Sequence, residues 1–171
     1  LINSGQFDNY QADGTLSDSK TSGSYKVMKA LGIWEKRLPN NRKTLILNGR
    51  HDRLDWALQL NDYRMKIEAC GFPVKKMQIE ALVRDGGTYL AKQRGITRNS
   101  YLITINRISD HWIKVYFTAK WEALKHALDT LEVPSKCRYR ERWGGRKCEG
   151  YCDVATKCQA LDNGASLEEV M

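Results

Sequence analysis

The clearest alternation of apolar and polar residues lies near the middle of the chain, where it predicts a half-buried β-strand. The apolar positions of this strand are Met77, Ile79, Ala81 and Val83. A further strand is predicted over residues 101–108. Near the start, strand-like runs over 5–10 and 15–21 flank an Asp13-Gly14 turn signal, so a β-hairpin is predicted there.

Two longer segments show the three-to-four-residue spacing of amphipathic helices. The first runs from about 52 to 70 and is ended by Gly71 and Pro73. Its apolar stripe consists of Trp56, Leu60, Tyr63, Ile67 and Cys70, which makes Cys70 a small core residue. The second helix begins after Ser109 and is broken by Pro134. Its stripe consists of Ile113, Tyr116, Phe117, Leu124, Ala127, Leu128 and Leu131.

The segment between the hairpin and the first long helix has weaker signals. Residues 25–31 predict a short helix with Ser24 as its cap and Gly32 as its stop, whereas the polar stretch 34–53 predicts mostly loop. Taken in order, the elements predict an α/β fold whose sheet is built around the leading hairpin.

Composition narrows the classes of function. Of the 171 residues 42% are apolar, which allows a core, and no apolar run reaches the roughly 18 residues that a membrane helix needs. No membrane partner is therefore predicted. The formal net charge of +8 favours a polyanionic partner such as nucleic acid. Because the chain begins with Leu1 and not with Met, we expect that an N-terminal part is missing.

The predicted hairpin carries residues suited to metal-dependent phosphodiester hydrolysis. Asp8 lies on its first strand, and Asp18 and Lys20 lie two residues apart on its second, so these two point to one face. Two carboxylates, helped by the Ser19 carbonyl, can hold Mg²⁺ or Mn²⁺, which lowers the pKa of a bound water. The lysine can stabilise charge that develops on phosphate. Acidic residues that are merely solvated are the alternative.

The loop of the hairpin decides whether Asp8 and Asp18 share a face. A two-residue turn would pair Asp8 with Ser19 and put Asp8 on the other face. A three-residue loop over 12–14, ending with Gly14 in the left-handed conformation, would pair Asp8 with Asp18. We predict the three-residue loop.

The first long helix adds a further motif, in which Gln59 and Tyr63 form Q-x3-Y on one side. Packing is the simplest role for Tyr63, and Gln59 flanks the apolar stripe. The order D…DxK…QxxxY, followed by a cysteine cluster, resembles the RecB-like branch of the PD-(D/E)XK nuclease superfamily. The resemblance is greatest to its iron–sulfur members among CRISPR-associated, phage-encoded and AddB-type enzymes, and it extends over residues 5–158.

The resemblance implies a restriction-endonuclease-like mixed sheet flanked by helices, with a cysteine-rich, metal-bound C-terminal tail. It makes Asp8 and Asp18 metal ligands, Lys20 the catalytic lysine, and Gln59 and Tyr63 residues that position DNA or support the active site. The implied activity is that of a Mg²⁺- or Mn²⁺-dependent DNA nuclease acting at DNA ends or single strands. Other recombination or CRISPR-adaptation proteins are further implied partners. A non-catalytic DNA-binding or assembly module with the same fold is the alternative.

Four of the five cysteines lie near the C-terminus in the pattern C-x10-C-x3-C-x5-C, namely Cys137, Cys148, Cys152 and Cys158. Clustered thiols without a signal peptide indicate a reducing, cytoplasmic location and a bound metal. Four thiolates can hold either Zn²⁺ or a [4Fe-4S] cluster. The lack of C-x2-C pairs and the family resemblance favour the [4Fe-4S] cluster, and free thiols are the remaining alternative.

Basic and aromatic residues are interleaved in the same tail. The nucleic-acid-binding candidates are Arg138, Arg140, Arg142, Trp143 and Arg146. Such a mixture suits single strands, through phosphate contacts and base stacking, although a solvated charged loop is the alternative. We therefore divide the chain into a nuclease core over 1–133, an iron–sulfur tail over 134–160 and a flexible C-terminus over 161–171.

Overall fold

The computed structural model describes residues 6–132, 135–139, 141–166 and 169, and the elements below lie within them. The strands are β1 (Asn9–Tyr10), β2 (Thr15–Ser22), β3 (Trp34–Arg37), β4 (Lys43–Ile46), β5 (Lys76–Val83) and β6 (Ser100–Ile105). The helices are α1 (Ser24–Ala30), α2 (Leu54–Ala69), α3 (Tyr89–Gln93), α4 (Asp110–Thr130), α5 (Arg146–Gly150) and α6 (Ala155–Asp162). A 3₁₀ turn over Trp143–Gly145 precedes α5.

Four of the strands form one mixed sheet in the order β1-β2-β5-β6. Strands β2 and β5 are parallel, whereas β1 with β2 and β5 with β6 are antiparallel. Parallel neighbours need a long crossover, and here α1, the β3–β4 hairpin and α2 supply it. The predicted α/β class with a mixed sheet is therefore confirmed.

The register of the first hairpin is the predicted one. Asn9 pairs with Ser17 and Tyr10 with Leu16, and continuing this register places residue 8 opposite residue 18. The three residues 12–14 form the loop, and Gly14 has a φ of 86°. A Cβ at Gly14 would also lie 3.0 Å from the Pro73 carbonyl oxygen, so two constraints favour glycine there.

One face of the sheet and the stripe of α2 form the core. Leu16, Ile79 and Ile103 from the strands share it with Leu60 and Ile67 from the helix. All four alternating positions predicted for the central strand are buried, as are the first four stripe positions of α2.

The prediction that Cys70 is a core residue is wrong. Cys70 caps the C-terminus of α2, and its side chain is exposed. Gly71 follows with a φ of 88°, so the chain turns away from the helix axis before the stripe can continue.

Two further local predictions need comment. Residues 34–53 are mostly loop, as predicted, but they also contain the antiparallel pair β3–β4, whose charged residues obscure the period-two pattern of a strand. Gly23, not Ser24, is the N-cap of α1. The Ser24 hydroxyl instead donates a hydrogen bond of 2.6 Å to Asp85, which lowers the pKa of that carboxyl.

A buried polar network holds α2 against the link between β6 and α4. Arg64 has no exposed surface and reaches Glu68 at 2.8 Å and Asp110 at 2.6 Å. Asn61, equally buried, donates to the Asn106 carbonyl and accepts from the Ile108 amide. Buried polar groups are tolerated when they are paired in this way, so the network fixes the position of α2 over the sheet.

The chain divides into two compact units, Leu1–Val115 and Tyr116–Met171, and α4 crosses the division. Of the predicted stripe of α4, only Ile113 is buried, and it lies in the first unit. Leu124, Leu128 and Leu131 are at least half exposed. Within the described part of the second unit no residue is buried, which is why the stripe finds no core there.

Candidate active site

Asp18 and Lys20 form the centre of the candidate site. Both lie on β2 and point to the face that carries Leu16 and the core. The Asp18 residue is only 3% exposed, and the Lys20 Nζ lies 2.6 Å from its Oδ2. Within the described ranges, Oδ2 has this ionic contact and no further partner in hydrogen-bond geometry.

Asp8 lies just before β1, on the neighbouring side of β2. Its Oδ2 accepts a hydrogen bond of 2.6 Å from the Ser19 amide. In a continued ladder the Phe7 carbonyl would accept that bond, so the Asp8 carboxylate ends the strand pairing by taking the place of the main chain. Asp8 is thus held beside β2, next to the Asp18 position.

Ser19, whose carbonyl is a predicted ligand, faces the opposite way from Asp18. Its hydroxyl donates to Glu80 on β5 at 3.2 Å, on the face of the sheet away from the core. Within a strand, the N–H and C=O of one residue point to the same side, so the Ser19 carbonyl is directed towards the β1 side. That is the side on which Asp8 lies.

Gln59 and Tyr63 pair with each other on α2. The Gln59 Nε2 donates a hydrogen bond of 2.7 Å to the Tyr63 hydroxyl oxygen. Tyr63 is buried in the core that α2 shares with β2 and β5, so the pair lies over the same face of the sheet as Asp18. Tyr63 therefore has the packing role, and the half-buried Gln59 lies beside it.

The donor set of the hairpin fits a hard cation. Among the described residues, the buried Asp18 Oδ2 has an ionic contact with Lys20 but no partner in hydrogen-bond geometry, and a buried carboxylate is costly unless a cation compensates it. In the present arrangement the Lys20 ammonium supplies that positive charge. Asp8 and Asp18 would hold Mg²⁺ or Mn²⁺, which prefer carboxylate and carbonyl oxygens.

The cysteine tail does not fit a cluster site in the same way. Cys148 and Cys152 are half-buried, whereas Cys137 and Cys158 are exposed. Across the described ranges, the structure contains no group of three or more His, Cys, Asp or Glu side chains arranged to hold a metal ion. We therefore derive no chemistry from a cluster in this arrangement.

Glu141 organises the basic part of the tail. It accepts hydrogen bonds from the Arg138 amide at 2.7 Å and from the Tyr116 hydroxyl at 3.3 Å. The Lys120 ammonium also contacts it, at 2.5 Å, and lowers the pKa of its carboxyl. The loop that follows α4 is therefore tied back to that helix.

The predicted nucleic-acid-binding residues of the tail lie around this anchor, although Arg140 lies outside the described residues. Arg138 and Arg146 are exposed, whereas Arg142 is half-buried. Trp143 is 52% exposed, and its ring is contacted by Lys147 and by Tyr151. A base stacking on Trp143 would use only the part of the ring that these neighbours leave open.

Sequence reasoning missed the basic hairpin formed by β3 and β4, which brings four cationic side chains together. They are Lys36, Arg37, Arg42 and Lys43. The turn signal Pro39-Asn40-Asn41, flanked by short runs containing Trp, Leu and Ile, could have identified it.

In comparisons with known proteins, no protein-family model, curated protein or solved structure matches this chain. The functional assignment therefore rests on the residues and their geometry. Among the helices of the described residues, none has the length and apolar character needed to cross a membrane.

Proposed function

We propose that this chain is a metal-dependent DNA nuclease of the PD-(D/E)XK class, which hydrolyses phosphodiester bonds at DNA ends or on single strands. The observation that carries the proposal is the contact of 2.6 Å between Lys20 and the nearly buried Asp18, on a hairpin whose register places residue 8 opposite residue 18. Asp18 and Lys20 therefore share the face that this chemistry requires, and Asp8 lies beside them at the edge of β2.

Each residue has a role that follows from its position. Asp18 and Asp8 would hold the cation, which supplies an activated water and polarises the phosphate. Lys20, whose side chain is 27% exposed, can reach solvent and a phosphate while its aliphatic part stays against the core. Tyr63 packs in the core that α2 shares with the sheet, and its hydroxyl holds Gln59 beside it.

The proposal is tested by cleavage of single-stranded DNA with Mg²⁺ or Mn²⁺. We expect Asp18→Asn and Lys20→Gln to lower cleavage by at least about 100-fold, since each removes a charge that acts on the reacting phosphate. Glu80→Gln is the matched control, because Glu80 is a carboxylate on the adjacent strand that faces away from the core.

Melting curves of all variants separate chemistry from folding, because Asp18 is buried and its replacement leaves Lys20 without its partner. Full activity in a folded Asp18→Asn variant would contradict the site. An equal loss of cleavage in Glu80→Gln would show that cleavage depends on the negative charge of the sheet in general. It would not then depend on the face that carries Asp18 and Lys20.

A non-catalytic DNA-binding or assembly module is the second candidate. The observation that favours it is that both carboxylates are already engaged within the chain, Asp8 by the Ser19 amide and Asp18 by Lys20. This candidate predicts that DNA binding persists with no metal-dependent cleavage, and that Asp18→Asn binds DNA as tightly as the wild type.

A further inference from the structure

Strands β3 and β4 form a two-stranded ribbon outside the main sheet. Trp34 pairs with Ile46 at its base, and Arg37 pairs with Lys43 near its tip. The Leu38 amide donates to the Arg42 carbonyl at 2.8 Å, which leaves a three-residue loop over 39–41. Asn41 has a φ of 60°, the left-handed conformation that closes loops of this class.

The base of this ribbon is held firmly. The Gly49 amide donates to the Gly32 carbonyl at 2.7 Å, and a Cβ at Gly49 would lie 2.6 Å from the Trp34 ring. The Trp34 indole N–H donates to the Arg50 carbonyl at 2.6 Å. Leu45 packs against Gly95, where an added Cβ would come within 3.2 Å of its methyl group. The ribbon is therefore a positioned element with an exposed outer half.

The outer half is strongly basic. Residues 34–46 contain four basic side chains and one acidic one, Glu35, so the ribbon carries a formal charge of +3. Glu35 pairs with Lys43 at 3.0 Å. Within the part of the chain that the structure describes, no acidic side chain forms an ion pair with Lys36, Arg37 or Arg42. Arg37 and Lys43 lie directly opposite each other, and Glu35 offsets part of this repulsion through its pairing with Lys43.

The positive charge lies on both faces of the ribbon. In this register Lys36 and Arg42 share one face with Trp34, whereas Arg37 and Lys43 share the other with Leu45. A flat partner, such as a membrane surface, would meet one face only. The two phosphate walls of a DNA groove would meet both.

We propose that the β3–β4 ribbon is an arm that binds the groove of duplex DNA, with its basic side chains on the phosphates of the two strands. The major groove of B-DNA is about 12 Å wide and admits a two-stranded β-ribbon. The proposal rests on the proposed function in its choice of DNA as substrate. It adds that the chain binds duplex DNA through a dedicated element outside the main sheet.

The test compares the salt dependence of binding by the full chain, in the absence of divalent metal, to a 20-base-pair duplex and to one of its strands. Two double variants are compared. Lys36→Ala/Arg42→Ala removes the basic side chains from one face of the ribbon, and Arg37→Ala/Lys43→Ala removes them from the other. Each is expected to reduce the log–log salt slope on duplex by about 1.8, because each phosphate contact contributes about 0.9. Binding to the single strand should keep its slope.

The matched control is Arg84→Ala/Lys125→Ala, which removes one arginine and one lysine from exposed positions outside the ribbon and should leave both slopes unchanged. A wild-type slope on duplex in both ribbon variants would overturn the proposal. A reduced slope in only one of the two ribbon variants would overturn the insertion into a groove. Equal reductions of the slope on duplex and on single strand would overturn it as well.

The experiments distinguish failure of the arm from failure of the nuclease assignment. Cleavage that depends on Asp18, together with unchanged duplex binding in the ribbon variants, would remove the arm and keep the nuclease. Weakened duplex binding in both ribbon variants, in a protein that cuts no DNA with Mg²⁺ or Mn²⁺, would keep the arm and remove the nuclease.

Discussion

The two compact units carry similar sequence patterns but bury different amounts of them. In the first unit, the stripe of α2 packs on the sheet, and Leu60 is completely buried. In the second, the continuing stripe of α4 leaves Leu128 64% exposed. Periodicity therefore identifies a helix and its apolar side, but it does not reveal whether another element covers that side.

A metal bound by the tail would have the largest effect on this difference in burial. It would give the second unit an ordered centre, whereas none of its described residues is buried. The cysteine spacing predicts brown protein after anaerobic purification, with iron–sulfur absorption that Cys152→Ala abolishes, whereas the described arrangement of the cysteines predicts colourless protein. Metal binding couples to folding and contributes on the order of 10 kcal/mol in small zinc domains, so Cys152→Ala should also destabilise the tail.

Cys70→Ala is the control for this experiment, since Cys70 is exposed at the end of α2 in the first unit. It should keep the colour. Colourless protein with one zinc per chain would keep a structural metal and exclude the iron–sulfur cluster. Colourless protein without metal would leave the second unit as the structure describes it.

The difference in burial can be measured directly with one substitution in each unit. Leu60→Ala should lower the free energy of unfolding by about 2–5 kcal/mol, because it opens a cavity in the core. Leu128→Ala should change it by less than about 0.5 kcal/mol. Urea unfolding of both variants gives the comparison. A large loss for Leu128→Ala would show that this face is covered in solution.

Nucleic-acid binding by the tail gives a smaller effect. If Arg138 and Arg146 contact phosphates of a single strand, replacing both by Ala should reduce the log–log salt slope by about 1.4. Trp143→Ala should leave the slope unchanged and weaken binding by about 1–3 kcal/mol, because stacking releases no counterions. Arg84→Ala/Arg98→Ala removes the same charge from exposed positions of the first unit and is the control.

Salt titrations on one oligonucleotide measure these slopes. Identical slopes for wild type and the Arg138/Arg146 variant would make the basic tail a solvated loop. Single-strand binding would then have to come from the first unit.

The smallest expected effect concerns acid stability of the first unit. A hydrogen bond from Arg64 lowers the pKa of Asp110 below its ordinary value of 3.8. A carboxyl with a lowered pKa stabilises the fold above its unfolded value, and this contribution is lost as the pH falls through the folded value. Because Asp110 is about half exposed, we expect about 1 kcal/mol or less.

Urea unfolding between pH 6 and pH 2 checks this. Asp110→Asn should be less stable than wild type at pH 6 and similar to it at the acid end. Asp129→Asn, which changes an exposed carboxylate at the other end of α4, should follow the wild type throughout. Parallel curves for wild type and Asp110→Asn would contradict the assigned role of Arg64.

Local chemistry was enough to predict the centre of the candidate site. The left-handed Gly14 and the turn before it determine the hairpin register, and alternation along a strand places Asp18 and Lys20 on one face. The same short-range rules predicted α2 and β5 with small errors at their ends. These features depend on residues only a few positions apart.

Contacts between distant residues decided the rest. The bond of Asp8 to the Ser19 amide and the burial of Arg64 with Asp110 each join positions for which the sequence pattern alone predicts no partner. The exposed stripe of α4 has the same origin, because burial depends on what the folded chain places opposite a surface. The sequence by itself thus determined most of the elements and the shared face of Asp18 and Lys20, whereas only the tertiary structure decided which polar groups pair and which apolar surfaces are covered.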